Sequence, residues 1–286
     1  MGLLDDKVAI ITGAGGGLGE AYARLLASEG ASVVVNDLGG DRSGTGRNPI
    51  QAQIVAESIV AAGGKAIANG SDVGSMSGGA VVFDEAIKAF GKVDILVNNA
   101  GILRDSSFAK MTEEQWDQVI RVHLKGTFSC TMPVFRFMKE NGGGVIVNTA
   151  SSTGLIGNFG QSNYGAAKAG IVGFTRNLAI EGRKYGIRVW AISPGALTRM
   201  SEDLVQKRGP EFKPAGPEMV APAVLYMCCP LSGDQTGKIL GVSGQYGVRE
   251  FKLFQAEGWK PEAGYGAEAI ARHAGRIFFA EDATVK

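Results

Sequence analysis

Tyr164 and Lys168 stand four residues apart in the run SNYGAAKAG. On a helix that spacing puts both side chains on one face, a turn from each other. An ammonium beside a phenol favours the phenolate, so Lys168 is expected to lower the Tyr164 pKa from its ordinary value of about 10. A phenol tuned toward neutrality takes a proton from an alcohol or gives one to a carbonyl. Ser151 comes thirteen residues earlier, just past the apolar run 145–147, and can aim its hydroxyl at the same oxygen. Together the three make a proton shuttle, which needs a redox partner. Taken alone, the Y-x-x-x-K spacing fits a buried tyrosine near a solvated lysine equally well.

The N-terminus offers the partner. Thr12-Gly13-Ala14-Gly15-Gly16-Gly17-Leu18-Gly19 follows an apolar run at 8–11 and opens a helical segment that closes at Gly30. Strand, glycine turn and helix N-terminus together suit a pyrophosphate: bare backbone lets it approach, and free N–H groups face it. The spacing is G-x-x-x-G-x-G over Gly13, Gly17 and Gly19. The G-x-G-x-x-G form fails, because Leu18 stands at its last glycine. A plain connecting turn is the alternative.

Asp37 ends the second apolar run, about twenty residues beyond the glycines. A carboxylate there accepts hydrogen bonds from a ribose diol and repels a 2′-phosphate, so NAD is favoured over NADP. Neither Leu38 nor Gly16 supplies a cation for that phosphate, although Arg42 and Arg47 follow in a glycine-rich stretch. An ordinary strand-end turn residue is the other reading of Asp37.

These groups need elements to carry them. Apolar runs at 8–11, 31–36, 65–70, 93–97, 145–149, 188–193 and 238–242 alternate with helical patterns at 17–29, 49–62, 75–90, 112–139, 163–185 and 217–227. The segment 38–48 (LGGDRSGTGRN) reads as a loop, and Thr112 with Gln115 reads as a capping box. Such alternation predicts an α/β fold: a doubly wound parallel sheet with helices on both faces. Ligands then bind past the carboxyl ends of the strands, where Gly15, Asp37, Asp72, Asn99, Ser151 and Pro194 all fall.

Composition bounds the rest. Hydrophobic residues make up 45% and charged residues 20% of 286 positions, enough apolar material for a large core. A net charge of +1 without a basic cluster speaks against nucleic acid or an anionic membrane as main partner. No apolar run approaches a membrane span. Three cysteines and no secretory leader suggest reduced thiols and a cytoplasmic setting. No metal-ligand cluster is expected.

TGAGGGLG, NNAG, Ser151, YGAAK and the Pro194-Gly195 pair resemble, in order and near-matching spacing, the short-chain dehydrogenase/reductase family across roughly residues 7 to 245. The resemblance implies a Rossmann-like sheet of about seven parallel strands and hydride transfer between nicotinamide and a carbinol or carbonyl carbon. By the same likeness Tyr164 is the acid/base, Ser151 steadies the substrate oxygen, and Lys168 binds the nicotinamide ribose. Gly13, Gly17, Leu18 and Gly19 match its phosphate loop. Asp37, Asp72, Val73 and Asn99 match its adenosine side, and Leu197 and Thr198 its carboxamide contacts.

VVVNDLGGD with its glycine insertion, NNAGILRD, RVHLKGTF, GNFGQSNY, IEGRK and Arg199-Met200 are more similar still to the (3R)-hydroxyacyl-CoA dehydrogenase branch found in peroxisomal multifunctional enzyme type 2. His123 departs from the family, standing where an asparagine usually holds a water for the proton relay, and is expected to fill that catalytic role with a ring nitrogen. A core histidine is the competing reading. No hydratase or sterol-carrier segment is expected after this part.

A catalytic domain over 1–247 and an extension over 248–286 follow, the latter carrying an amphipathic helix at EAIARHAGRIFF, with His273 structural. The expected activity is oxidation of a (3R)-3-hydroxyacyl-CoA with NAD, in a homodimer or homotetramer. A hydroxysteroid dehydrogenase or other carbonyl reductase is the alternative, and a catalytically silent nucleotide-binding scaffold a remote one. The segment 198–217, with Met200, Leu204, Val205 and Phe212, is expected to cover the substrate.

Overall fold

The computed structural model describes residues 2–196 and 215–279. The expected contacts Leu197 and Thr198, and most of the expected substrate cover, lie outside the described residues. The chain divides into two compact units, Met1–Phe251 and Lys252–Lys286.

In the first unit, strands β1 (Val8–Thr12), β2 (Ser32–Asn36), β3 (Lys65–Asn69), β4 (Ile95–Asn98), β5 (Gly144–Thr149), β6 (Ile187–Gly195), β7 (Ile239–Ser243) and β8 (Gly247–Phe251) form one sheet. Its order is β3-β2-β1-β4-β5-β6-β7-β8. The first seven strands run parallel, as anticipated. The eighth, not anticipated, pairs antiparallel with β7 and extends the sheet past residue 247. Its sequence GVREF is mostly exposed, so no apolar run announces it.

The apolar strand runs reflect burial on both faces. Ala9, Ile11, Val33, Val35, Val97 and Val147 point into the core under α1 (Gly17–Ser28), α2 (Ile50–Ala61) and α8 (Ala221–Cys228). Ile10, Val34, Leu96, Ile146 and Val189 point the other way, under α3 (Met76–Phe90), α5 (Gly126–Glu140) and α7 (Ser162–Gly182), the last preceded by the short α6 (Thr153–Ile156). Period-two alternation therefore splits one apolar strand between two cores. At about 25 cal/mol per Å² of buried apolar surface, each fully buried valine or isoleucine contributes roughly 1.5–3 kcal/mol. β1 pairs with β2 on one side and β4 on the other, which makes the crevice beyond their carboxyl ends the switch point of the sheet.

Thr112 caps α4 (Glu113–Ile120), with the anticipated capping box to Gln115. The expected continuous helix from there to 139 is interrupted. Residues Arg121–Lys125 form a wide π turn before α5 begins. Helical periodicity barely registers one extra residue, which is why the pattern 112–139 reads as unbroken.

The second unit, described as far as residue 279, has none of its described residues buried. The expected tail helix is two short ones, α9 (Ala267–Arg272) and α10 (Ala274–Ile277), divided at His273. That ring stacks on Trp259 with centroids 4.1 Å apart, and its Nδ1 lies 2.8 Å from the Ala269 carbonyl. Among the described residues no helix is long and apolar enough to cross a membrane.

Candidate active site

The glycine turn joins β1 to α1. Gly13 and Gly17 have φ of +63° and +56°, backbone that side-chain-bearing residues rarely adopt. A Cβ on Gly19 would stand 2.2 Å from the Gly13 carbonyl oxygen, so only glycine lets the helix start so close to the turn. Leu18 packs against the core below. No side chain caps α1, and a Cβ on Gly16 would meet nothing within 4 Å. Bare backbone at an uncapped helix start, open on its outer side, fits a phosphate group.

Asp37 braces this turn. Its carboxylate accepts from the Gly15 amide at 2.9 Å and from the Gly39 amide at 2.7 Å. Asn99 braces the other flank, donating from Nδ2 to the carbonyls of Thr12 and Gly13, both at 3.0 Å. Thr12 returns the contact by accepting from the Asn99 and Ala100 amides. Asp72 is committed to an ion pair with Arg121 at 2.6 Å, while the Val73 carbonyl accepts from the Ser129 hydroxyl. Asp72 thus fixes the third strand's end onto the π turn and Val73 fixes it onto α5, partnerships that spacing gives no sign of.

α7 carries the proton-handling pair. Lys168 is buried, its Nζ donating to the Thr149 carbonyl at 2.6 Å and lying 5.4 Å from the centre of the Tyr164 ring. The Ser151 hydroxyl favours the ionised form of the Tyr164 phenol and accepts from the Thr153 amide at 3.2 Å. The three groups come together as their spacing predicts.

Their electrostatics run against expectation. Burial pushes the Tyr164 phenol up to about 12, opposed by the Ser151 hydrogen bond and reinforced by the Asp105 carboxylate. Burial pulls Lys168 down to about 7. No lowering of the phenol by Lys168 emerges here: burial, which disfavours both charged forms, is the largest influence on each group.

His123 sits in the π turn, buried, with its Nε2 3.0 Å from the Ile102 amide nitrogen and 2.8 Å from the Ile102 carbonyl oxygen. Burial, then the Lys168 charge, hold its pKa well below the ordinary 6.5, so the ring is neutral. Its Nδ1 is buried without a partner. A Cβ on Gly101 would stand 2.3 Å from the ring, so that glycine makes room for it.

Sequence spacing also misses a row of buried amides. Asn98 donates to Thr131 Oγ1 and Asn148 Oδ1, and Asn148 donates to Thr175 Oγ1. These cross-links tie β4 and β5 to α5 and α7 immediately below the site. Buried asparagine at strand ends is the signal that could have found them.

A glycine turn braced by an acid thus lies at the sheet's switch point, and tyrosine, lysine and serine come together at the end of the fifth strand and the start of α7. The chain belongs to the short chain dehydrogenase family of oxidoreductases, whose model matches residues 7–209. Peroxisomal multifunctional enzyme type 2 of Drosophila melanogaster is 47% identical over 84% of this chain and 39% of its own length. The chain thus spans well under half of that relative. An acetoacetyl-CoA reductase of Acinetobacter is 38% identical over 84% of this chain and 97% of its own. Among solved structures, a 7α-hydroxysteroid dehydrogenase complexed with NADH and 7-oxo glycochenodeoxycholic acid matches with a TM-score of 0.75. It is 34% identical over 84% of this chain and 94% of that one.

Proposed function

We propose that this chain is an NAD-dependent oxidoreductase that interconverts a secondary alcohol and its ketone, with (3R)-3-hydroxyacyl-CoA and 3-oxoacyl-CoA as its substrate pair. The observation that carries the reading is the convergence of Tyr164, Ser151 and Lys168 beside the glycine turn that Asp37 braces. Likeness to an acetoacetyl-CoA reductase matched over 97% of its own length supports the acyl-CoA class.

Gly13, Gly17, Leu18 and Gly19 would hold the pyrophosphate, with Asp37, Asp72, Val73 and Asn99 on the adenosine side. Bound nicotinamide supplies a hydride acceptor or donor and, when oxidised, a positive charge. Ser151 donates a hydrogen bond to the substrate oxygen and orients it. Tyr164 takes the alcohol proton during oxidation and returns it during reduction. A nearby positive charge favours the phenolate, offsetting the burial that raises its pKa. Lys168, easily deprotonated, is suited to pass that proton on and to hold the ribose. His123, neutral, shapes the turn at Ile102 and stands beside this relay.

The catalytic core would comprise the unit Met1–Phe251, with β8 completing its sheet, and the extension the unit Lys252–Lys286. Phe128 and Ile180 remain exposed on α5 and α7, which supports assembly as a homodimer or homotetramer. A hydroxysteroid dehydrogenase is the second reading, favoured by the steroid-bound structural relative. The test is NADH absorbance with (3R)- and (3S)-3-hydroxyacyl-CoA and a 17β-hydroxysteroid, each with NAD and with NADP. Turnover of the (3R) thioester with NAD supports the proposal. Turnover of the steroid alone replaces it with the second reading.

A further inference from the structure

The run from Ile102 to Ser106 is a strap, fastened on three sides. His123 holds the backbone of Ile102. The glycine insertion holds the next two residues, through the Leu103 amide on the Arg42 carbonyl at 2.9 Å and Arg104 Nε on the Ser43 carbonyl at 2.8 Å. The segment entering α7 holds the remainder. Asn163 Nδ2 donates to the Arg104 carbonyl at 3.0 Å, and the Ser106 amide donates to the Gly160 carbonyl at 2.9 Å.

Between those two bonds lies the strap's one carboxylate. Asp105 accepts from Gln161 Nε2 at 2.7 Å. Gln161 is buried, and its Oε1 accepts from Thr153 Oγ1 at 3.1 Å and from Asn158 Nδ2 at 2.9 Å. The Thr153 amide in turn donates to Ser151 Oγ. A line of bonds therefore runs from Asp105 to the Ser151 hydroxyl, which favours the ionised form of Tyr164. The same carboxylate acts on the phenol through space.

We propose that Asp105 is a positioning residue: through Gln161 it fixes the turn bearing Ser151, and its negative charge beside Tyr164 sets the pH at which that tyrosine releases its proton. The proposal rests on Tyr164 being the proton carrier. The other groups facing this pair are accounted for. Partial desolvation raises the Asp105 carboxyl, opposed by the Gln161 bond and then by the Arg42 charge of the insertion, while Lys168 lies over the Tyr164 ring and His123 beside it is neutral. Asp105 is exposed, so its field is partly screened by water and salt. The effect to look for is modest and salt-dependent.

Asp105→Asn keeps the shape and the bond to Gln161 while removing the charge. In that variant the pH midpoint of kcat/KM for alcohol oxidation falls by about half a unit at low salt. The difference shrinks at high salt, and Asp105→Glu restores the original midpoint. The thermal midpoint stays within a degree or two. Ultraviolet phenolate absorbance of the NAD-bound protein, taken as the difference from Tyr164→Phe, moves the same way and needs no substrate. A displaced phenolate titration without acyl-CoA turnover would sink the substrate assignment and leave this proposal standing. An unmoved midpoint, whether or not Asp105→Asn loses activity or stability, overturns it and makes Asp105 a mere brace.

Discussion

The rings of His123 and Tyr164 meet edge to face, with centroids 5.1 Å apart and planes at 87°. A neutral imidazole thus buttresses the phenol while its Nε2 is occupied by the backbone of Ile102. His123 bridges the two sides of the site, the strap at 102 and the catalytic helix.

Removing that bridge should cost stability first. His123→Ala leaves the buried polar backbone of Ile102 without its side-chain partner, at about 1–3 kcal/mol. His123→Gln, whose amide extends about as far as Nε2, can still reach that backbone and should retain most of the stability. Denaturant unfolding of the two variants checks this. Equal losses would mean that the imidazole acts only by filling space.

Gly101→Ala should be destabilising by about 1–3 kcal/mol, because the added methyl falls on the imidazole. In a His123→Asn background the smaller side chain leaves room, so the penalty should shrink. A double-mutant cycle measures the coupling, and additivity would contradict the contact.

Lys168 gives a pH signature. Its pKa in the fold, about 7, lies below the ordinary 10.5. Above 10.5 the contribution is full, because lysine is neutral in both states. As pH falls toward 7 the unfolded chain gains a proton that the fold resists, and stability drops, by about 3–5 kcal/mol in all. Tyr164 is raised instead, so its contribution holds below its ordinary 10 and is lost as pH rises through about 12. Between pH 7 and 10 the wild type should therefore gain stability with pH relative to Lys168→Met. Parallel curves would refute the burial argument.

Much of the site is legible in the sequence because it depends on period. Tyr164 and Lys168 share a helix face by spacing alone, and strand ends collect Gly15, Asp37, Asn99 and Ser151 wherever the sheet is parallel. What spacing hides depends on environment. Whether Lys168 lowers the Tyr164 pKa is decided by how much water both lose, and no motif encodes that. The Asp72–Arg121 pair and the Asp105–Gln161 bond join residues about fifty positions apart, across a π turn that shifts register by one residue. β8 is mostly exposed and carries Arg249 and Glu250 between Val248 and Phe251, so it escapes a search for apolar runs.

Asp37→Ala should loosen the glycine turn, since the amides of Gly15 and Gly39 lose their acceptor. NADH affinity is expected to fall about tenfold or more, and the preference over NADPH to narrow. Fluorescence titration with both nucleotides reads this out. An unchanged ratio would remove Asp37 as the discriminating group.

Tyr164→Phe keeps the ring against His123 and removes only the hydroxyl. In rapid-mixing experiments with NAD and a saturating (3R)-3-hydroxyacyl-CoA, NADH formation should slow by about 10²–10⁴-fold, with nucleotide affinity unchanged. If that variant formed NADH as fast as the parent, the phenol would not be the group that carries the proton.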